Sequence, residues 1–157
     1  MTKPPETVFL DTDVFVIDLR YTTDTHFQDN RRLLEEIRSG KVTGLTSIYN
    51  VLEVCGILSF NLGAEELLDL YAGLADRYSV RVVFPGSWDE SISFSLPDIF
   101  KQIRKKMSFG DALVADIVER QDTGRIRAFL SWSAKHFAGK LPVEALTPKE
   151  FLRRQDG

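Results

Sequence analysis

The stretch "TVFLDTDVFVIDLR", residues 7–20, runs an apolar segment into two carboxylates, Asp11 and Asp13, and then turns apolar again. A short continuous apolar run closed by polar residues reads as a buried strand over 7–11, and 14–20 reads as the helix that follows. An acid at that junction has three explanations: a helix cap, a nucleophile with its acid partner, or one corner of a metal site. The rest of the chain has to choose.

Downstream, residues 27–39 read as a helix with Leu33, Leu34 and Ile37 on its apolar side and Gly40 as its stop. "KVTGLT" (41–46) predicts a strand, Ser47 caps a helix to about Phe60, and a further helix spans 64–77. A strand over 79–84 is followed by helical pieces over 88–106, which Pro97 interrupts. "GDALVADIVERQ" (110–121) opens a helix with Asp111 near its positive end. Strands are expected over 125–132 and 141–146. Thr147, Pro148 and Glu150 then make an N-cap, a first-turn proline and a capping box. Strands alternating with helices require crossovers, and hence a mainly parallel α/β sheet. Function in such sheets gathers at the carboxyl ends of strands, where Asp11 lies.

The 157 residues show no repeat or compositional break, so 1–157 is read as one domain. At 43% hydrophobic and 27% charged, the composition is that of an ordinary globular protein. No apolar run is long enough for a bilayer, and the N-terminus lacks a signal-peptide core, so a cytoplasmic protein without a membrane is expected. The single cysteine, Cys55, excludes an internal disulfide and a cysteine-rich zinc site, and its apolar neighbours mark a packed thiol. The net charge of −3 offers no global field for nucleic acid. A polyanionic partner would need a local basic patch or bound cations.

"SIYNVLEVCGILSF" (47–60) carries one charged side chain, Glu53. At about 100° per residue, Ile48, Val51, Leu52, Cys55 and Leu58 share one stripe, and Glu53 lies on another face with Tyr49, Ile57 and Phe60. Such a helix should be largely buried. Its carboxylate then reaches solvent, a structural arginine or a metal. Asp111 is a cap or a ligand. Asp116, about 140° round the helix from Asp111, reads as solvated, as does Asp18. The basic run "KQIRKK" (101–106) is a solvated helix end or, through Arg104 and Lys105, a phosphate contact. His26 and His136 have no second histidine at metal-binding spacing, and G-x-S-x-G, P-loop and G-x-G-x-x-G motifs are absent.

"FLDTDVF" resembles the first motif of haloacid-dehalogenase-type phosphatases. That likeness implies Asp11 as nucleophile, Asp13 as general acid, and Asp111 with Asp116 as magnesium ligands. In that family an apolar strand precedes the closing acidic motif, whereas here "IRKKMSF" does, and Glu53 has no role. From residue 8 to about 152 the chain resembles a PIN domain, specifically the VapC-type ribonucleases of toxin–antitoxin pairs. The likeness runs through "VFLDTDVF", "GLTSIYNVLEVCGIL", "SFGDALVADIVER" and "FLSWSAKHFAGKLPVEALTPKEFL". It implies a three-layer α/β/α sandwich with a mainly parallel central sheet. It implies catalytic and metal-binding roles for Asp11, Glu53 and Asp111, with Mg2+ or Mn2+ activating water against an RNA phosphodiester. It also implies a cognate antitoxin over the cleft, and a homodimer.

One departure stands out in "SWSAKHF". Ser131 matches the family's threonine, Ser133 occupies the place of its fourth acid, and His136 precedes Phe137. Position 13, ordinarily serine, threonine or asparagine, is Asp13. Either the charge has moved and Asp13 supplies the fourth ligand from the opposite rim, or Asp13 caps the first helix. Ser133 then becomes a substrate-contacting candidate. The missing acid also leaves room for a PIN-like module that binds RNA or protein without cutting.

Overall fold

The computed structural model describes residues 3–86 and 92–157; the start of the helical region expected from 88 lies outside them. The opening stretch forms strand β1 (Glu6–Leu10) and helix α1 (Thr12–Arg20). Helix α2 (Phe27–Arg38), strand β2 (Val42–Ser47), helices α3 (Ile48–Leu58) and α4 (Ala64–Tyr78) and strand β3 (Val80–Val83) follow. The chain continues through α5 (Leu96–Ile103), α6 (Phe109–Arg120), β4 (Ile126–Leu130), β5 (Ala145–Leu146) and α7 (Pro148–Asp156). All strand pairs are parallel, in the order β3-β2-β1-β4-β5.

Alternation along the central strands builds two cores. Val8 and Leu10 of β1, with Ala128 and Leu130 of β4, face the core shared with α1, α2, α3, α4 and α7. Phe9 and Phe129 face the other side, against α5 and α6. Both faces of the sheet are covered, giving three layers and explaining why residues 8–10 of β1 and 128–130 of β4 are continuous apolar runs. The chain steps outward from β1 to β2 and β3, then crosses back through α5 and α6 to β4 on the far side of β1. The strand order therefore reverses between β1 and β4, the point at which open α/β sheets place their clefts.

Several expectations change. Pro97 sits in the first turn of α5 and starts that helix, where its missing N–H has no intrahelical partner to lose. The last strand is only Ala145–Leu146, because residues 141–144 bend before joining the sheet. Helix α3 is not buried all round: Leu52 is 44% exposed and Phe60, just beyond its end, 89%. Val54, rather than Leu52, completes the buried stripe with Ile48, Val51, Cys55 and Leu58. Asp18 is half-buried and accepts the Tyr78 hydroxyl proton at 2.8 Å. The terminal capping box forms as the sequence reads, with Thr147 receiving the Glu150 N–H at 3.2 Å.

Gly44 of β2 is required by a close approach. A Cβ there would stand 2.9 Å from Val80 Cγ1 and 3.1 Å from Ile37 Cγ2, and both neighbours are β-branched with little rotamer freedom. Gly44→Ala is expected to destabilise by about 1–3 kcal/mol, lowering the melting temperature by several degrees. An unchanged melt would mean that α2 and β3 yield without strain.

Candidate active site

Asp11 follows the last residue of β1, and its backbone N–H donates to Leu130 O at 3.0 Å, pinning the ends of β1 and β4 together. Its carboxylate caps α1: Oδ1 accepts from Thr12 N at 2.9 Å. The cap is therefore Asp11, and the reading of Asp13 as the cap is corrected. The helix begins at Thr12, two residues earlier than the apolar pattern suggests, which places Asp13 inside the first turn.

From there Asp13 reaches the loop after β4. Its Oδ1 accepts from Trp132 N at 3.2 Å, and its Oδ2 lies 3.1 Å from Ser131 Oγ. The Ser133 N–H also favours its charge. Asp13 thus lies against the loop that carries Ser133, not on the opposite rim. Ser131 Oγ is also 2.8 Å from Asp11 Oδ2 and accepts from Ser133 N at 3.0 Å. A hydroxyl has one proton, so it satisfies one of the two carboxylates at a time.

A second support comes from β2 and α3. Asn50, fully buried, donates through Nδ2 to Asp11 Oδ1 at 3.2 Å and to Thr12 Oγ1 at 3.0 Å. Its Oδ1 accepts from Ser47 N and Ser47 Oγ, closing a capping box at the start of α3. Asn50 and Ser131 both touch Asp11; the sequence matched Ser131 only to the family's threonine and assigned Asn50 no part. The box spacing from Ser47 to Asn50 was the available signal.

Asp11, Asp13, Glu53, Asp111, Ser133 and His136 line one open cavity of about 230 Å³. Glu53 comes from α3 and Asp111 from the first turn of α6, where Ser108 is the cap and accepts from Asp111 N at 3.3 Å. The Glu53 carboxylate reaches the start of α6, where a Cβ on Gly110 would lie 3.3 Å from its Oε2. The expected ligand residues and Asp13 thus face one space at the switch point of the sheet. Among the described residues, no group of three or more such side chains is drawn close enough to hold a metal ion as it stands. The donor set is nonetheless all hard oxygen, which suits Mg2+ or Mn2+ in chemistry.

Electrostatics gives the same picture. Burial, then the neighbouring Asp13 charge, push the Asp11 carboxyl up to about 7 despite hydrogen bonds from Ser131 and Thr12; Asp111 adds a smaller push. Asp13 is raised too, first by burial, against hydrogen bonds from Trp132, Ser131 and Ser133. A buried and a half-buried acid sharing a hydroxyl in a carboxylate-lined space carry uncompensated negative charge, the condition that a bound cation relieves.

Other expectations fall outside this cavity. Asp116 is buried, not solvated: it pairs with Arg120 Nε at 3.0 Å, and Arg120 also reaches Asp98 at 3.1 Å. It does lie on a different face from Asp111, but α5 covers that face. The phosphatase reading needs Asp111 and Asp116 together, and they are apart. Lys105 donates to Gln102 Oε1 and Lys140 O, and neither it nor the exposed Arg104 lines the cavity. Among the described residues no helix is long and apolar enough to cross a membrane.

No family model and no curated protein matches the sequence. Solved structures do resemble the fold. A chain of VapBC2 from Rickettsia felis, bound to a DNA fragment from their promoter, aligns at 14% identity and a TM-score of 0.53, covering 88% of this chain and 97% of that one. VapC20 from Mycobacterium tuberculosis, a sarcin–ricin loop cleaving toxin, aligns at 16% identity and a TM-score of 0.49, covering 78% and 86%. With the parallel sheet, its β3-β2-β1-β4-β5 order and its covered faces, the architecture is assigned: the chain has a PIN-domain, VapC-type fold.

Proposed function

We propose that the chain is a single-domain, divalent-cation-dependent endoribonuclease, the toxin of a toxin–antitoxin pair. The observation that carries this reading is the meeting of Asp11, Asp13, Glu53 and Asp111, from three separate segments, in one cavity at the switch point of the sheet. Asp11, Glu53 and Asp111, with Asp13 as a fourth oxygen donor, would hold Mg2+ or Mn2+. When bound, the cation supplies Lewis acidity to a water nucleophile and to the phosphodiester.

The chain's own residues have distinct parts. Asn50 and the Thr12 N–H hold Asp11 Oδ1, leaving Oδ2 to Ser131. Trp132 and Ser131 fix Asp13 against the loop after β4. Glu53 reaches across from α3 to the start of α6 beside Gly110. Asp11, Asp13 and Asp111 are carried on a strand end or helix start, and Glu53 on the second turn of α3, where the backbone has little freedom.

The test is cleavage of an unstructured RNA with and without Mn2+ or Mg2+. Expected is cleavage that chelator stops and that Asp111→Asn reduces by at least ~100-fold. RNA left intact by a chain that binds no cation would favour the non-cleaving module. A covalent phosphate on Asp11 would instead revive the phosphatase. The acidic balance agrees with a cytoplasmic enzyme that meets RNA through cations. Exposed Leu96, Phe100 and Phe109 on α5 and α6 support partner surfaces, either a second copy or an antitoxin whose segment covers the cleft.

A further inference from the structure

The cavity presents a difficulty to any phosphodiester. Four carboxylates line it, and like charges repel an incoming anion. Three lining side chains can donate hydrogen bonds: Thr12, Ser133 and His136. The Thr12 hydroxyl is buried beneath Asn50, which donates to it at 3.0 Å. Two lysine ammonium groups outside the lining are already committed, Lys105 to Gln102 Oε1 and Lys140 O, and Lys140 to Lys106 O.

His136 differs. It is exposed, and its imidazole makes no hydrogen bond or ion pair among the described residues. The other histidine, His26, lies flat on Trp132 with ring centroids 4.0 Å apart. The backbone at His136 is nevertheless firmly held. Its N–H donates to Ser133 O at 2.9 Å, and the next residue, Phe137, is buried against Phe129 with centroids 4.6 Å apart. A fixed backbone with an uncommitted donor at an anionic cavity is the arrangement a ligand-contacting group needs. Of the cavity-lining side chains, it alone can carry positive charge.

We propose that His136 is a substrate-contacting residue whose imidazole N–H donates to the phosphate backbone of a single RNA strand lying across the cavity. The identity of that ligand rests on the nuclease reading above. A contact to phosphate positions the strand and carries no base information, so its loss acts equally on all sequences.

The experiment compares His136→Ala, His136→Asn and wild type in two measurements. One is anisotropy of a labelled single-stranded RNA with Mn2+ in the Asp111→Asn background. The other is steady-state cleavage with Asp111 intact, with Mn2+ affinity recorded alongside by calorimetry. Expected is a roughly tenfold weaker Kd and higher KM for the alanine variant, with kcat and Mn2+ affinity nearly unchanged. The asparagine amide should recover part of the binding. Unchanged Kd and KM in the alanine variant overturn the proposal while wild-type cleavage leaves the nuclease reading standing. A parallel fall in Mn2+ affinity also overturns it, making His136 a ligand. If wild type neither binds nor cleaves RNA, both readings fail together.

Discussion

Asp11→Asn is expected to abolish RNA cleavage and, at pH 8 without divalent cations, to raise the melting temperature. The gain follows from the pKa of the wild-type group. A carboxyl raised from 3.8 to about 7 binds its proton more tightly in the folded chain than in the unfolded one. Folding is therefore favoured below the unfolded value, loses stability as pH rises from about 4 towards 7, and stays low above that. For a carboxyl buried to this degree the loss is roughly 4 kcal/mol, and Asp13, raised in the same direction, adds to it.

Asparagine removes the charge and keeps the bonds. Its oxygen can accept from Thr12 N and Asn50 Nδ2, as Asp11 Oδ1 does now. Its amide can donate to Ser131 Oγ, freeing the serine proton for Asp13 Oδ2, which lies 3.1 Å away. A gain of about 5–10 °C is expected at pH 8, shrinking towards nothing at pH 4. Saturating Mn2+ should recover much of that stability in wild type and little in the variant. Equal melts at pH 8 would mean that Asp11 is not strained, and would remove the electrostatic support for a cation. Stability gained with activity lost is the ordinary cost of a functional carboxylate.

Asp13→Asn carries the second large effect, a fall of about 10–100-fold in divalent-cation affinity with the fold intact. The amide oxygen can still accept from Trp132 N, so the loop after β4 keeps its anchor. Asp13→Ala is the informative companion. It leaves the Trp132 N–H without its acceptor, at a cost of about 1–3 kcal/mol if it stays dry, while the Ser133 N–H keeps Ser131 Oγ, so alanine should lose stability where asparagine does not. Both variants should bring the Asp11 carboxyl down from about 7, because the Asp13 charge is its second-largest cause. The pH window of destabilisation then narrows from its upper end. Isothermal titration with Mn2+ and melts from pH 4 to 8 read all of this. Wild-type affinity and cleavage in Asp13→Asn would reduce Asp13 to a loop anchor and end the idea that its charge replaces the acid absent at Ser133.

The features legible in sequence are those made by neighbours in the chain. The Thr147–Glu150 box closes over four consecutive residues, and Gly40 ends α2 with φ +82°, a conformation other residues resist. The uninterrupted apolar run of β1 announced a strand buried on both faces, and its acidic end marked the edge where the cavity lies. The same reasoning misplaced Asp13, because which acid caps a helix depends on a start that shifts by a residue or two without altering the periodicity. It misjudged Asp116 and Leu52 because a helical wheel says which residues share a face, not which faces are covered. For Asp116 the cover is α5; for Leu52 there is none.

The order of apolar and polar residues prescribes the alternation of elements, hence a parallel α/β sheet, and marks the acids that are out of keeping with their apolar surroundings. How those acids meet is set by contacts between distant parts of the chain. Asn50 and Ser131 reach Asp11 from 39 and 120 residues away, after crossovers on opposite faces have brought the ends of β1, β2 and β4 together. Local propensity acts over a few residues, whereas a binding cavity is made by contacts between distant ones. The opening Asp11 and Asp13 therefore acquire their separate parts, one capping α1 and the other gripping the loop after β4, only when the sheet has closed around them.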